Sequence, residues 1–320
     1  MKIVLAQPRG FCAGVNMAVT ALETALKIFG TPFYVFHEIV HNRHIVDRFR
    51  AQGVVFVEDI NEVPRGSRLM YSAHGISPEI QQAASQRQLK IIDATCPLVR
   101  KVHWQAIRFA EQGYTIVLIG HRGHDEVVGI VGEAPERITL IEAVEDVDRL
   151  AFGPSEMIAY LTQTTLSVDE ANLIIARLKQ RYPQSVGSPK EDICYATQNR
   201  QEALKAILVG LDIVLVVGSQ NSSNSRRLAE VASEQGIPAH LIDGPSDIDL
   251  SWFQGHEIVG LTAGASAPQD LVDGCINMLC GAFGATFEAR SSHEEHVFFP
   301  LPIELRSQAQ QLTPIPQLVP

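Results

Sequence analysis

A pattern that starts with a cysteine and ends with a glycine occurs three times along the chain. In each copy, apolar residues spaced as on one face of a helix follow the cysteine, and the glycine comes 18, 17 or 16 residues later. The pairs are Cys12 and Gly30, Cys96 and Gly113, and Cys194 and Gly210. The pattern predicts one unit repeated three times, with each cysteine at the start of a helix.

Each predicted helix leads into two predicted strands that end in polar residues. The first strands cover residues 33–36, 115–119 and 213–217, and they continue into HEIVHN, GHRGHDE and GSQNSSN. The second strands end in YSAHG, LTQTT and LTAGAS. Further helices are predicted at 78–88, 168–181 and 268–279. This alternation predicts an α/β fold built from three similar α/β domains.

The polar strand ends are expected to face one cavity, because ligands of open α/β sheets bind beyond the carboxyl ends of the strands. Three units around a shared axis would direct their loops and cysteines to one centre. The repeat predicts domain 1 at 14–96, domain 2 at 97–193, domain 3 at 194–281 with 1–13, and a C-terminal tail at 282–320 that wraps the body or frays.

Charge and hydropathy restrict the partners of the protein. The net charge is −10 and no basic run is present, which argues against a protein that coats nucleic acid and favours a small molecule or another protein as partner.

No apolar run approaches the roughly 18 residues of a membrane span, and no signal-peptide region is evident. We therefore expect the protein in the cytoplasm, or in the plastid stroma if a transit peptide has been removed.

The five cysteines are odd in number and mostly far apart, which argues against a disulfide framework. Cys275 and Cys280 lie outside the repeat on an apolar helix, where core packing is the expected role. For Cys12, Cys96 and Cys194 core packing is an alternative, but their shared position favours a metal centre. A helix N-terminus is also expected to lower the pKa of a thiol and so favour the thiolate.

Thiolate ligands select zinc or an iron–sulfur cluster. A structural zinc site normally has a fourth cysteine or histidine and closely spaced ligand pairs, and the sequence has no CxxC. An iron–sulfur cube held by three cysteines, with one open iron for a substrate, is the more economical account.

Small hydrogen-bonding residues and histidines at the strand ends are suited to holding phosphate oxygens. They are His41, His74, His124, Thr164, Thr165, Ser222, Ser223, Asn224 and Ser266. Each alone is an ordinary turn former, but their recurrence in three units favours a site. Glu126 is open to two interpretations, a helix N-terminal carboxylate or a proton source.

The motifs together resemble the 4-hydroxy-3-methylbut-2-enyl diphosphate reductase, or IspH (LytB), family. Those that carry the resemblance are PRGFCAGV, HEIVHN, SAHG, DATCPLV, IGHRGHDEV, TQTTLS, DICYATQNRQEA, VVGSQNSSNS and TAGASAP, in order from residue 5 to about 270. The resemblance implies three α/β domains in a pseudo-three-fold arrangement around a central cluster cavity. It also implies an oxidoreductase of isoprene biosynthesis that catalyses the last step of the methylerythritol phosphate pathway.

The resemblance also assigns roles to residues. A [4Fe–4S] cluster on Cys12, Cys96 and Cys194 would have one open iron. The diphosphate would be held by His41, His74, Ser222, Ser223, Asn224 and Ser266, while His124, Thr164 and Glu126 would serve the substrate hydroxyl and proton delivery.

No nicotinamide or flavin motif is evident, so a ferredoxin or flavodoxin is the expected electron donor. An iron–sulfur redox sensor without this catalytic activity is the alternative function. The absence of a basic stripe and the number of phosphate-type donors favour the enzyme.

Overall fold

The computed structural model of the protein describes residues 1–312, with side chains through residue 309. The strands are β1 (Lys2–Gln7), β2 (Phe33–Phe36), β3 (Val54–Val57), β4 (Arg68–Tyr71), β5 (Lys90–Asp93), β6 (Thr115–Ile119), β7 (Ile138–Ile141), β8 (Ile158–Thr162), β9 (Val186–Gly187), β10 (Ile213–Val217), β11 (Ala239–Ile242), β12 (Ile258–Ala263) and β13 (Thr286–Ser291).

The α-helices are α1 (Ala13–Phe29), α2 (Arg43–Ala51), α3 (Pro78–Gln86), α4 (Pro97–Glu111), α5 (Asp125–Glu133), α6 (Val144–Arg149), α7 (Val168–Arg181), α8 (Tyr195–Lys205), α9 (Ser223–Ser233), α10 (Gln269–Phe283) and α11 (Ile303–Leu312). Short 3-10 turns lie at Ile60–Glu62, Pro245–Asp247 and Leu250–Trp252.

The strands form three parallel sheets, which confirms the predicted class of three α/β domains. Their strand orders are β3-β2-β4-β5, β7-β6-β8-β9 and β11-β10-β12-β1-β13. All described pairings are parallel. Parallel sheets are covered on both faces and therefore use continuous apolar strands, as in β10, where all five residues are buried.

The cysteine-headed helices begin where the sequence predicts. Helices α1, α4 and α8 each start at the residue after a cysteine of the repeat, and β2, β6 and β10 have the predicted bounds. Gly30 adopts φ 68° directly after α1, a conformation that favours glycine. The prediction for the third helix was too long, because α8 ends at Lys205 and turns follow it before Gly210.

The C-terminal segment contains structure that the repeat does not predict. Strand β13 joins the third sheet by pairing with β1, which lies between β12 and β13. Helix α11 packs against α1, and its Leu305 is fully buried in the core of the first sheet. Residues 313–320 of the predicted tail lie outside the described residues. The predicted domain limits themselves stay a prediction.

Candidate active site

Three cysteines from three different helix starts line one cavity. Cys12 Sγ accepts a hydrogen bond from the Val15 N–H at 3.5 Å, and Cys194 Sγ accepts one from the Thr197 N–H at 3.4 Å. Cys96 precedes Pro97, the first residue of α4. We call Cys12, Cys96 and Cys194 the cavity cysteines, since all three line the same cavity.

The other two cysteines lie elsewhere, as the sequence predicts. Cys275 is fully buried in the core of the third sheet, and Cys280 packs against the same core. The Cys280 thiol donates to the Ala285 carbonyl oxygen at 3.1 Å. Neither residue lines the cavity.

A glycine makes room between two of the cavity cysteines. A Cβ atom added at Gly14 would lie 2.6 Å from Cys96 Sγ and 3.9 Å from Cys12 Sγ. Both sulfur atoms therefore lie within 4 Å of one point that must stay free of a side chain. This cradle fits a group that is held by several thiolates at once.

The pKa values of Cys96 and Cys194 contradict the expectation from the helix N-termini. Burial and the neighbouring Cys12 raise the pKa of Cys96, and the same causes raise the pKa of Cys194 to about 11. Hydrogen bonds from the helix N–H groups lower these pKa values, but burial outweighs them. A metal centre here would therefore have to displace thiol protons as it binds.

The polar residues predicted for the site line the same cavity. They follow the carboxyl ends of β2, β4, β6, β8, β10 and β12, so all six predicted strand ends meet there. The cavity lining includes His41, His74, His124, Glu126, Thr164, Thr165, Ser222, Ser223, Asn224 and Ser266.

Glu126 is buried, and its carboxylate bonds to the neighbouring loop of the same sheet. Its Oε1 accepts from the Thr164 N–H at 2.7 Å, and its Oε2 accepts from the Thr164 hydroxyl at 2.9 Å. Burial raises the pKa of Glu126 to about 7, with a smaller contribution from the negative charge of Asp192. No described hydrogen bond joins this carboxylate to a backbone N–H of α5, so its contacts are not those of a helix cap.

The three histidines of the cavity lie against one another. The rings of His41 and His74 stack with centroids 3.8 Å apart, and His124 meets His41 edge-on at 5.3 Å. Burial lowers the pKa of His74, and it lowers the pKa of His124 to about 3. His124 Nδ1 accepts from the Glu126 N–H, which fixes the ring at the start of α5.

The small polar residues bond to protein groups around the cavity. The Ser266 hydroxyl donates to the His41 carbonyl oxygen at 2.8 Å, and Asn224 Oδ1 accepts from the Ala265 N–H at 2.9 Å. Ser222 caps α9 through the Ser225 N–H. The bond from Ser266 to His41 joins loops of the third and first sheets, and the other two bonds lie within the third.

Two residues near the cavity, the buried Gln163 and the partly buried Asp125, were missed by the sequence analysis. Gln163 donates to the hydroxyl oxygens of Thr165 and Ser223, so it links the second and third sheets. At the start of α5, Oδ1 of Asp125 lies 3.0 Å from Nδ1 of His37. Each is adjacent in sequence to a predicted site residue, and this adjacency was the only signal in the sequence that could have identified it.

Among residues 1–312, no helix is long and apolar enough to cross a membrane.

Comparisons with known proteins agree with this architecture. The 4-hydroxy-3-methylbut-2-enyl diphosphate reductase of Rhodopirellula baltica is 56% identical over 97% of this chain and 98% of its own length. The enzyme of the same name from Haemophilus influenzae is 51% identical over 96% of this chain and 98% of its own length.

Two solved structures are also similar. The E-1-hydroxy-2-methyl-but-2-enyl-4-diphosphate reductase of Plasmodium falciparum has a TM-score of 0.95 and 40% identity, covering 97% of this chain and 98% of that one. A second solved reductase, described as the terminal enzyme of the non-mevalonate pathway, has a TM-score of 0.61 and 30% identity, covering 88% of this chain and all of that one. The family model described as LytB protein matches residues 3–280, and the chain belongs to this family.

Proposed function

We propose that the protein reductively dehydroxylates 4-hydroxy-3-methylbut-2-enyl diphosphate to isopentenyl diphosphate and dimethylallyl diphosphate. The observation that carries this proposal is one cavity lined both by the three cavity cysteines and by the buried pair of Glu126 and Thr164. Replacement of the hydroxyl by hydrogen consumes two electrons and two protons and releases one water, so the reaction needs a redox centre and a proton donor in one cavity. The names of the relatives support the same reaction.

The cavity cysteines would hold one [4Fe–4S] cluster with one iron open to the substrate. The cradle beside Gly14 supports this assignment, because it leaves space where two of the sulfur atoms converge. The bound cluster would supply electrons one at a time and a Lewis-acidic iron.

The histidines and small polar residues would hold the diphosphate. The cavity is lined by His41, His74, Ser222, Ser223, Asn224 and Ser266, and Thr165 lies beside Ser223. Hydrogen bonds to backbone groups of the cavity loops position the Ser266 and Asn224 side chains before a ligand arrives. His74 and His124 are held neutral by burial, so an anionic ligand would favour proton uptake by these rings.

Glu126 would supply the proton that lets the hydroxyl leave as water. A pKa of about 7 leaves a substantial fraction of the acid form at neutral pH, which is the condition for general-acid catalysis. The Thr164 hydroxyl, which donates to Glu126, would relay the proton, and His124 would position the substrate hydroxyl.

The electrons would come from a ferredoxin or flavodoxin, and the enzyme would work in the cytoplasm or, after loss of a transit peptide, in the plastid stroma. The lack of a nicotinamide or flavin motif supports an external donor.

Anaerobic spectroscopy of the cluster-loaded protein tests the proposal. Addition of the allylic diphosphate should perturb the cluster spectrum, and a chemical electron donor should then yield both products. A spectrum that does not respond to substrate, together with no turnover, would favour the redox sensor instead. The enzyme names of the relatives do not favour that alternative.

A further inference from the structure

Asp125 opens helix α5 and faces two histidines of the cavity. Its Oδ2 lies 3.7 Å from Nδ1 of His74 and 3.8 Å from Nε2 of His41. These three ligand atoms lie within 4.8 Å of one another. A tetrahedral ion with bonds of about 2.1 Å separates its ligand atoms by roughly 3.4 Å, which is close to the spacings found here. The rings of His41 and His74 stack with an interplanar angle of 12°, so one imidazole must rotate about its side-chain bonds to direct its in-plane lone pair at the ion.

Outer contacts already orient two of these three side chains. The second oxygen of Asp125, Oδ1, lies 3.0 Å from Nδ1 of His37. The second ring nitrogen of His41, Nδ1, lies 3.5 Å from the Glu38 carboxylate. Metal-binding histidines and carboxylates characteristically have such partners on the side turned away from the ion.

The inward ring nitrogen of His41 has no hydrogen-bond partner in the part of the chain that the structure describes. This atom, Nε2, is also buried. Nδ1 of His74 lies 3.4 Å from the Ser72 hydroxyl, a contact that ligation would replace. An unpartnered buried nitrogen beside a carboxylate oxygen is a position that a cation can fill.

The group also has a route to solvent. His41 and Asp125 line an outer cavity of about 370 Å³, whose wall includes His37, Arg122 and Arg226. An ion can therefore reach Asp125 without passing the cavity cysteines.

We propose that His41, His74 and Asp125 form a binding site for a divalent transition-metal ion of the zinc type. Two imidazoles and one carboxylate suit zinc, whereas magnesium and calcium prefer oxygen ligands. The proposed function places the diphosphate on the same two histidines. A ring nitrogen that ligates a metal cannot donate to a phosphate oxygen, so the ion and the substrate compete for each ring nitrogen that both use. This last consequence rests on the proposed function, and the metal site itself does not.

Calorimetric titration of the cluster-loaded protein with buffered free zinc tests the site under anaerobic conditions. The wild-type protein should bind one equivalent, and Asp125→Asn should weaken that binding by at least about 100-fold, since loss of an outer partner alone typically costs 10- to 100-fold. Asp125→Ser removes the same carboxylate and serves if the asparagine variant does not fold. Asp270→Asn is the matched control, because Asp270 forms an exposed pair with a single histidine, His44, at 3.6 Å.

Iron content before and after the titration must stay constant, which shows that zinc has not displaced the cluster. Absence of a one-equivalent site in the wild type, or unchanged zinc affinity in both Asp125 variants, would overturn the proposal.

Inhibition kinetics then test whether zinc and the diphosphate share His41 and His74. Zinc should raise KM without lowering kcat in the wild type and in Asp270→Asn, but not in the Asp125 variants. Stoichiometric binding with an unchanged KM would leave the metal site in place and show that the diphosphate does not use the ligating nitrogen atoms.

Discussion

Replacement of Glu126 by glutamine should remove the proton that this residue can supply and leave the shape of the cavity unchanged. Both side chains have the same size, and glutamine can accept the Thr164 N–H with its oxygen, as Glu126 does at 2.7 Å. The Thr164 hydroxyl can rotate to accept from the new amide group instead of donating. We therefore expect Glu126→Gln to keep the cluster and to bind the substrate.

The same substitution should increase stability at alkaline pH. The folded state raises the pKa of Glu126 from its ordinary 4.5 to about 7, so ionisation destabilises the fold progressively as the pH rises between these values. The difference corresponds to about 3 kcal/mol, which is an upper bound because the bonds to Thr164 change as well. Glu126→Gln should match the wild type below pH 4.5 and exceed its unfolding free energy by up to about 3 kcal/mol at pH 8.

The turnover rate of Glu126→Gln should fall, although its stability at alkaline pH increases. Loss of a general acid costs on the order of a hundredfold or more, and the wild-type rate should itself fall above pH 7 as Glu126 ionises. Thr164→Val, which removes the hydroxyl that bonds to Glu126, should show a weaker form of the same defect. The assays are anaerobic calorimetry of substrate binding, steady-state reduction with a chemical electron donor, and thermal unfolding at both pH extremes.

Three results would refute this reasoning. Wild-type turnover in Glu126→Gln would remove the carboxyl group from the mechanism. A loss of substrate binding in proportion to the loss of rate would make Glu126 a substrate anchor and not an acid. A lower stability than the wild type at pH 8 would contradict the raised pKa.

The remaining predictions concern the cluster and its electron donor. Serine in place of any one of the three cavity cysteines should abolish stable cluster assembly, whereas Cys275→Ser should leave iron and sulfide content unchanged, because Cys275 lies in the core. Gly14→Ala should reduce iron loading, because its Cβ would lie 2.6 Å from Cys96 Sγ; Gly281→Ala, with nothing within 4 Å, is the control. Rates supported by ferredoxin should fall as ionic strength rises, and a rate independent of salt would argue against an electrostatic encounter.

The repeat predicts most of the fold because its signals are local. A cysteine before a helical pattern, a glycine at φ 68° after it and a five-residue apolar strand such as β10 can each be recognised without knowledge of their neighbours. Because the three units share the same spacing along the sequence, the ends of six strands meet at one cavity. The end of α8 could not be predicted from local signals. The apolar spacing of the sequence does not show that turns replace the helix after Lys205.

The electrostatics of the site could not be predicted in the same way. A helix N-terminus lowers the pKa of a nearby thiol, and the sequence shows only that contribution. In the folded protein, burial and the neighbouring Cys12 outweigh it for Cys96 and Cys194. Burial likewise raises the pKa of Glu126, although its position at the start of α5 alone would favour the ionised form. Desolvation depends on residues that are distant in sequence, and these become known only with the fold.

The C-terminal segment shows how distant charges support the site. Arg200 is fully buried and donates through Nε to the Gly10 carbonyl oxygen at 3.0 Å, two residues before Cys12. Its Nη1 donates to Glu295 at 2.9 Å, in a stretch whose composition indicates a solvated tail. A buried guanidinium without a counter-charge is strongly destabilising. Glu295 therefore neutralises the residue that holds the Cys12 loop, so the segment beyond the repeat contributes to the geometry of the cavity cysteines.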